Sequence, residues 1–367
     1  MDKWGLVLSG GGANGAYEIG AWNAINEAGI KIEAVSGTSV GALNAALFSC
    51  GSFNDSLRIW TEQVDTSKIL SFSSSKEIQN LVNTPTNKAA LTKIISTFVS
   101  QNIAILPFSL CDKDIQSINI FLLNKLIHFL INIQKTGMFS QKGLLSIINE
   151  NNIYDKFQAA NFPCYTCSFN IKSLNKEYTR INNLSKEEFN NHLLASSAIP
   201  IVFPPIEFDT EHKYVDGGIP IVGDKSPIYP LIENEHCNKI IVIHLSPRTG
   251  ITQTITSSIP IFAFTASFFP VAAAPLTIGL PLATSSMVGS PLAASAIISF
   301  ALTLPAKRAI NMIQNNYTKD HYNDNVDIYH IYPRNPLGNF LNFNPKHIVP
   351  KIENGYSDTK KILKKLP

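Results

Sequence analysis

The first fifty residues alternate two apolar stretches with two stretches of helical periodicity, and glycines stand at the junctions. Residues 4–9 (WGLVLS) and 30–37 (IKIEAVSG) predict strands. Residues 15–29 and 38–51 carry apolar side chains at helical spacing, and each stretch ends at a glycine. The order strand, helix, strand, helix predicts an α/β fold with a parallel sheet and right-handed crossovers.

Composition limits the class of protein. The chain has 367 residues, 45% of them hydrophobic and 16% charged, which is enough for a large core. We expect a single domain over residues 1–367. The formal net charge is only +3 and the basic residues are scattered, so we expect no nucleic-acid partner. The N-terminal residues lack the pattern of a signal peptide, so we expect no Sec-type export and a cytoplasmic or peripheral membrane location, with translocation by another route left open.

The second junction is a G-x-S-x-G sequence that runs from Gly37 to Gly41. It lies between a predicted strand and a predicted helix, which is the context of a nucleophile elbow. In such an elbow, small flanking residues permit a tight turn that holds a serine hydroxyl outward at a helix N-terminus. Ser39 is therefore the candidate nucleophile. The alternative is a strand-to-helix turn in which Ser39 only caps the helix.

The first junction allows two interpretations. Gly10, Gly12 and Gly15 satisfy the G-x-G-x-x-G pattern of dinucleotide-binding folds, which also place an acidic residue at the end of the second strand. Glu33 is near that position, but it lies inside the strand and an elbow follows it. In a hydrolase, the amides of Gly10, Gly11 and Gly12 would instead stabilise the oxyanion of a tetrahedral intermediate.

A serine nucleophile needs a base, and none of the eight histidines lies in a context that marks it as one. A carboxylate is the alternative. Asp216 ends the short strand HKYV and is followed by Gly217 and Gly218, which permit close backbone approach. Taken alone, the Asp-Gly-Gly sequence is also compatible with an ordinary hairpin turn.

The five cysteines include one C-x-x-C pair, Cys164 and Cys167. A zinc site would need a second pair of ligands, and a redox site would need a helix start after a strand. The surrounding CYTCSFNI predicts a strand, so we interpret the pair as structural.

Together, the glycine loop, the G-x-S-x-G elbow and the downstream D-G-G resemble the patatin-like phospholipases. The matching residues are Gly10 to Gly15, Gly37 to Gly41 and Asp216 to Gly218, and ASSAIPIVFPP at 195–205 resembles the family's approach to the aspartate. The resemblance implies a three-layer α/β/α fold around a mainly parallel sheet, with helical and apolar insertions. One departure is Asn14, where many members carry Arg or Lys.

The resemblance also implies an activity. Ser39 and Asp216 would form a dyad that hydrolyses the fatty-acyl esters of membrane lipids, as in a phospholipase A or lysophospholipase, without metal or cofactor. The partner would be a phospholipid or another acyl lipid, with peripheral membrane contact. A protein activator and an oligomer both stay open.

Two regions are interpreted as additions to the domain. Residues 65–160 predict a mainly helical variable region, in which an apolar helix covers the sheet or contacts a membrane. Residues 249–306 contain no charged residue and are interrupted by prolines, which argues against continuous spanning helices. This segment either is buried as short helices or forms an apolar flap that enters a membrane interface. The aromatic anchors of such a flap would be Phe262, Phe264, Phe268 and Phe269.

Other functions remain compatible with the same residues. An acyltransferase or a thioesterase could use the same dyad. A nucleotide-binding protein or an inactive lipid-binding module would not need the nucleophile.

Overall fold

The computed structural model describes residues 2–74, 137–173, 175–200, 202–219, 223–248 and 326–365. The uncharged segment 249–306 lies outside the described residues, and with it Phe262, Phe264, Phe268 and Phe269. The same holds for the middle of the predicted helical region, residues 75–136. That residues 1–367 form a single domain stays a prediction.

An eight-stranded sheet forms the centre of the described structure. Five strands, in the order β10-β9-β1-β2-β5, pair in parallel, and β6, β7 and β8 add antiparallel pairs on the β5 side. Two further short strands, β3 and β4, pair with each other. The strands are β1 (Trp4–Leu8), β2 (Ile32–Thr38), β3 (Ser71–Phe72), β4 (Phe139–Ser140), β5 (Cys164–Asn170), β6 (Asn175–Arg180), β7 (Ile206–Glu207), β8 (Lys213–Asp216), β9 (Lys239–Ile243) and β10 (Asp327–Ile331).

Helices cover both faces of the sheet. They are α1 (Ala16–Glu27), α2 (Val40–Ser49), α3 (Phe53–Arg58), α4 (Thr66–Ile69), α5 (Lys142–Glu150), α6 (Ile153–Ala160), α7 (Lys186–Ser196), α8 (Tyr229–Glu233) and α9 (Pro345–Leu363), with a 3-10 helix at Gly12–Gly15 and a π-helix at Ile59–Gln63. Because strand side chains alternate, Leu6 and Leu8 of β1 join the large core with α1, α2 and α9, while Val7 joins a smaller core with α8. The result is a three-layer α/β/α fold.

The N-terminal prediction is confirmed. β1, α1, β2 and α2 form in the predicted order, and β1 pairs with β2 in parallel. The C-x-x-C strand is also confirmed as β5, where both Cys164 and Cys167 are buried thiols without a disulfide. Burial raises the pKa of the Cys164 thiol to about 12, so it is unreactive at neutral pH.

Some elements were not predicted. The described ends of the 65–160 region are mainly helical, but they also contain the paired strands β3 and β4. Strand β6 is partly exposed, and its sequence NKEYTR lacks the apolar alternation that marks a strand. It is held by antiparallel pairing with residues 165–170 of β5.

Candidate active site

Ser39 lies between β2 and the first turn of α2, at the carboxyl edge of the parallel strands. Its backbone has φ 58° and ψ −127°, a region that L-residues rarely adopt and that costs about 1–3 kcal/mol. Although it occupies the N-cap position of α2, its side chain makes no capping hydrogen bond. The hydroxyl is therefore not used as a helix cap, which removes the support for the alternative interpretation.

A buried serine stabilises this strained backbone. The Ser39 N–H donates to the Ser196 hydroxyl oxygen at 3.0 Å, and the Ser196 hydroxyl donates to the Cys167 carbonyl at 2.6 Å. Ser196 ends α7 and Cys167 is in β5. The elbow is thus attached to the neighbouring strand and to α7, so the direction of the Ser39 side chain is fixed by the fold.

The flanking glycines permit close backbone packing at the elbow. A Cβ atom at Gly37 would overlap the Gly41 carbonyl, and one at Gly41 would overlap the Leu8 carbonyl. Any larger residue at either position would push α2 away from β1 and β2. The spacing of the G-x-S-x-G sequence is therefore explained by local packing.

Asp216 is the last residue of β8, and sheet pairing brings it near Ser39. Thr38 is opposite Cys167, and Ser168 is opposite Asp216, so β5 separates the two chain segments. Two strand spacings amount to about 10 Å between backbones, a gap that the two side chains can bridge. The backbone of Asp216 is held by its N–H, which donates to the Ala198 carbonyl at 3.0 Å.

The carboxyl group of Asp216 is buried, with only 6% of the residue exposed. Burial raises its pKa to about 6, against the opposing effects of the Ser39 hydroxyl, the Gly218 amide and the Lys225 ammonium. Oδ1 accepts the Gly218 N–H at 2.7 Å. A carboxyl with this pKa is a much better proton acceptor for a hydroxyl than a solvated aspartate.

The second oxygen, Oδ2, is buried and has no partner at hydrogen-bond geometry among the described residues. The Ser39 hydroxyl nevertheless acts on the pKa of Asp216 as a hydrogen-bond donor would. The two side chains are neighbours without a well-aligned hydrogen bond. Contacts of this kind tighten when substrate binds.

The glycine loop lies beside Ser39. A Cβ atom at Gly10 would lie 3.3 Å from the Ser39 Cβ atom. The Gly10 N–H is already used, because it donates to the Lys225 carbonyl at 3.0 Å. Within the described part of the chain, the N–H groups of Gly11 and Gly12 have no such backbone acceptor. These two amides are the ones that remain available to an oxyanion.

An apolar cavity of about 80 Å³ opens from Ser39 into the large core. Gly12, Ser39, Asn44 and Ser197 are part of its lining, and α2, α5 and the chain after β10 provide apolar walls. Its described lining contains no histidine. The apolar side chains that line it are Val40, Leu43, Ala46, Leu47, Ile59, Trp60, Val64, Ile69, Leu144, Ile147, Ile148, Ile153, Leu193, Ile199, Phe203, Leu341 and Phe343.

A buried hydrogen-bond network around Asn44 supports the glycine loop. The Asn44 amide donates to the Gly15 carbonyl at 2.9 Å and to Glu18 Oε2 at 2.7 Å, and its oxygen accepts the Trp60 indole N–H at 2.8 Å. Burial raises the pKa of Glu18 well above its ordinary value. The sequence does not predict this network, because the helices that carry its members show only apolar periodicity.

The dinucleotide interpretation fits the structure poorly. Glu33 is the second residue of β2, near the strand's amino end, whereas the ribose-binding acid of such folds stands at the carboxyl end. Ser39 follows the carboxyl end of β2 instead. The glycine loop therefore faces a serine rather than an acidic residue.

Sequence comparison agrees with this geometry. The profile of the family described as Patatin-like phospholipase matches residues 6–232, which is more than half of the chain and includes the glycine loop, Ser39 and Asp216. The chain belongs to the patatin-like phospholipase family. The matched region ends before β9, so β9, β10 and α9 complete the fold beyond it.

Individual relatives match over a short stretch. Lysophospholipase nte1 of Aspergillus terreus is 53% identical over 45 residues, and neuropathy target esterase sws of Drosophila persimilis is 61% identical over 44 residues. Each match covers 12% of this chain and about 3% of the relative's length. Among solved structures, VipD from Legionella pneumophila has a TM-score of 0.42 at 18% identity, covering 99% of this chain and 67% of that chain.

In the described residues, no helix combines the length and the apolar character that crossing a bilayer requires. This leaves the predicted membrane contact of residues 249–306 as a prediction, because that segment lies outside the described part.

Proposed function

We propose that this patatin-like protein is a lipid acyl hydrolase of the phospholipase A or lysophospholipase type, with Ser39 as nucleophile and Asp216 as base. One observation carries the proposal. Ser39 lines an apolar cavity and lies at a strained elbow, beside a buried carboxyl whose pKa is raised to about 6. A nucleophile, a base and a site for an alkyl chain thus meet at one point.

In the acylation step, Asp216 accepts the proton of the Ser39 hydroxyl as the oxygen attacks the ester carbonyl. The tetrahedral oxyanion accepts hydrogen bonds from the N–H groups of Gly11 and Gly12. In the described structure these N–H groups have no backbone acceptor. The proton then passes from Asp216 to the leaving alcohol. The acyl group stays on Ser39 as an ester.

In the deacylation step, Asp216 accepts a proton from the water that attacks the Ser39 ester. It returns this proton to the Ser39 oxygen as the fatty acid is released. The apolar cavity supports a fatty-acyl substrate, because each buried methylene contributes about 0.8 kcal/mol. A thioesterase would use the same steps, and an acyltransferase would replace water with an acceptor alcohol.

The test is fatty-acid release from a lysophospholipid and from a phospholipid by wild type, Ser39→Ala and Asp216→Asn proteins. We expect release by wild type and at least about 100-fold slower release by each variant, since both remove a reacting group. Circular dichroism establishes that each variant is folded. Comparable release by a folded Ser39→Ala protein would refute the proposal, and an acyl product that requires an added acceptor alcohol would favour the acyltransferase.

A further inference from the structure

A short segment, residues 224–227, crosses the carboxyl ends of β1 and β2 next to the glycine loop. Four hydrogen bonds attach it there. The Gly10 N–H donates to the Lys225 carbonyl at 3.0 Å, and the Thr38 hydroxyl donates to the Asp224 carbonyl at 2.7 Å. The hydroxyls of Ser9 and Ser226 are 2.7 Å apart, and the Ser36 hydroxyl donates to the Pro227 carbonyl at 2.5 Å. The backbone of Lys225 is therefore fixed relative to both strands that support the site.

The side chain of Lys225 lies beside the glycine loop of the candidate active site. A Cβ atom built on Gly10 would be 3.7 Å from Lys225 Cγ, and one built on Gly218 would be 3.9 Å from Lys225 Cα. Lys225 is thus between the glycine loop and the aspartate turn. The residue is exposed to solvent, yet desolvation by the surrounding protein lowers its pKa. Both properties fit a side chain in a cleft that water can enter.

The ammonium acts on two carboxyls without pairing with either. It lowers the pKa of Asp216 and of Glu18 through space. No hydrogen bond or ion pair joins Lys225 Nζ to another of the described side chains. A cation that is held in a cleft without a partner in the described structure is available to an anionic ligand.

On the other side of the glycine loop, His244 does not compete with Lys225 as a cation. Leu245 packs against Gly11, and His244 precedes it at the end of β9. His244 lies 2.9 Å from a ring nitrogen of His330 and stacks on Tyr332. Burial lowers the pKa of His244 to about 3, so its imidazole is neutral and adds no positive charge beside the glycine loop.

We propose that Lys225 binds the phosphate of a glycerophospholipid whose acyl ester lies at Ser39. This inference rests on the proposed lipid acyl hydrolase and names a residue that recognises the phosphate of its substrate. In a phospholipid, a short glycerol backbone separates the ester from the phosphate, so an ester at Ser39 and Gly12 places the phosphate near the glycine loop. Asn14 is uncharged, and the Lys351 ammonium at the same loop already donates to the Ala13 carbonyl at 3.3 Å, whereas Lys225 has no partner among the described side chains.

The experiment compares a lysophosphatidylcholine with a monoacylglycerol of the same acyl chain. Both present the same ester, and only the first has a phosphate. The measured quantity is kcat/KM for the lysophosphatidylcholine divided by kcat/KM for the monoacylglycerol. We expect Lys225→Gln to lower this ratio by about 10-fold or more, since a hydrogen bond to a charged group contributes about 1.5–3 kcal/mol. Lys225→Arg should restore most of the ratio. Lys31→Gln removes the same charge just before β2, at the opposite edge of the sheet, and should leave the ratio at its wild-type value.

A binding measurement separates this inference from the proposed chemistry. In Ser39→Ala protein, equilibrium binding of the two lipids is measured with and without Lys225→Gln, so no turnover is needed. Weaker binding of the lysophospholipid alone supports the inference even if no hydrolysis is found. An equal loss of binding for both lipids would show that Lys225 supports a feature that the two lipids share and would overturn the inference, as would an unchanged preference. Inhibition of monoacylglycerol hydrolysis by glycerol 3-phosphate, relieved by Lys225→Gln, would show that the phosphate alone is recognised without a lipid chain.

Discussion

Replacing Asp216 with asparagine should make the protein more stable at neutral pH while it removes activity. The folded structure raises the pKa of this carboxyl from 3.8 to about 6, chiefly by burial. At 1.36 kcal/mol for each factor of ten in proton affinity, the ionised carboxylate lowers the free energy of unfolding at pH 7 by about 3 kcal/mol. Asparagine has a similar shape and no charge at any pH.

The direction of the change in unfolding free energy with pH follows from proton linkage. The folded-state pKa is above the unfolded value, so the folded protein binds more protons between those two values. The stabilisation from this group is fully present below about pH 4 and is lost as the pH rises through about 6. Asp216→Asn does not titrate, so its advantage over wild type should be smallest near pH 4 and approach about 3 kcal/mol at pH 7.

The assay is urea unfolding of both proteins at several pH values from 4 to 7.5. Asp209→Asn is the matched control, because Asp209 is exposed and the hydrogen bond from His212 lowers its pKa. The contribution of Asp209 is present above its unfolded pKa and is lost in acid, so its variant should gain no stability as the pH rises. Parallel stability curves for wild type and Asp216→Asn over the whole range would refute the reasoning. The pH dependence of kcat/KM should show the same group, with activity rising through an apparent pKa of about 6.

Three further predictions test other parts of the site. Ile147→Phe should fill the apolar cavity, so kcat/KM for long-chain lysophospholipids should fall while that for an acetate ester changes little; an unchanged chain-length profile would show that the acyl chain binds elsewhere. Ser196→Ala removes the acceptor of the Ser39 N–H, so kcat should fall about 10-fold with little change in KM; a change confined to KM would contradict this positioning role. Phe268→Asp combined with Phe269→Asp should weaken binding to liposomes and hydrolysis of vesicles but spare a soluble short-chain ester; equal loss on both substrates would place these aromatics in a core.

The sequence predicts the backbone elements that carry the candidate site residues. The position of Ser39 at a strand-to-helix turn could be predicted because the strand, the glycines and the helix are adjacent in the chain. Apolar periodicity and turn chemistry therefore apply directly. Asp216 could be placed because its strand ends at two glycines. The elbow's spacing is a property of local backbone packing, and local packing is what a short motif encodes.

The sequence does not predict contacts between distant segments. Ser196 supports Ser39 from 157 positions away, and its ASSAIP context gives no sign of that hydrogen bond. Lys225 is one of many scattered basic residues, and only the attachment of its segment to β1 and β2 places it beside Gly10. For the same reason, the sequence does not predict the hydrogen bond from the Gly10 amide to the Lys225 carbonyl. The two interpretations of the glycine loop could be separated only when the position of Glu33 along β2 was known.

The most direct test of the account is the site of covalent modification by a fluorophosphonate. The reagent reacts with an activated serine, and peptide mass spectrometry locates the adduct. We predict a single adduct on Ser39 in wild-type protein, formed much more slowly in Asp216→Asn, with fatty-acid release lost in proportion to labelling. An adduct on another residue, or full labelling of Ser39 with lipid hydrolysis retained, would contradict the proposal that Ser39 and Asp216 perform the reaction.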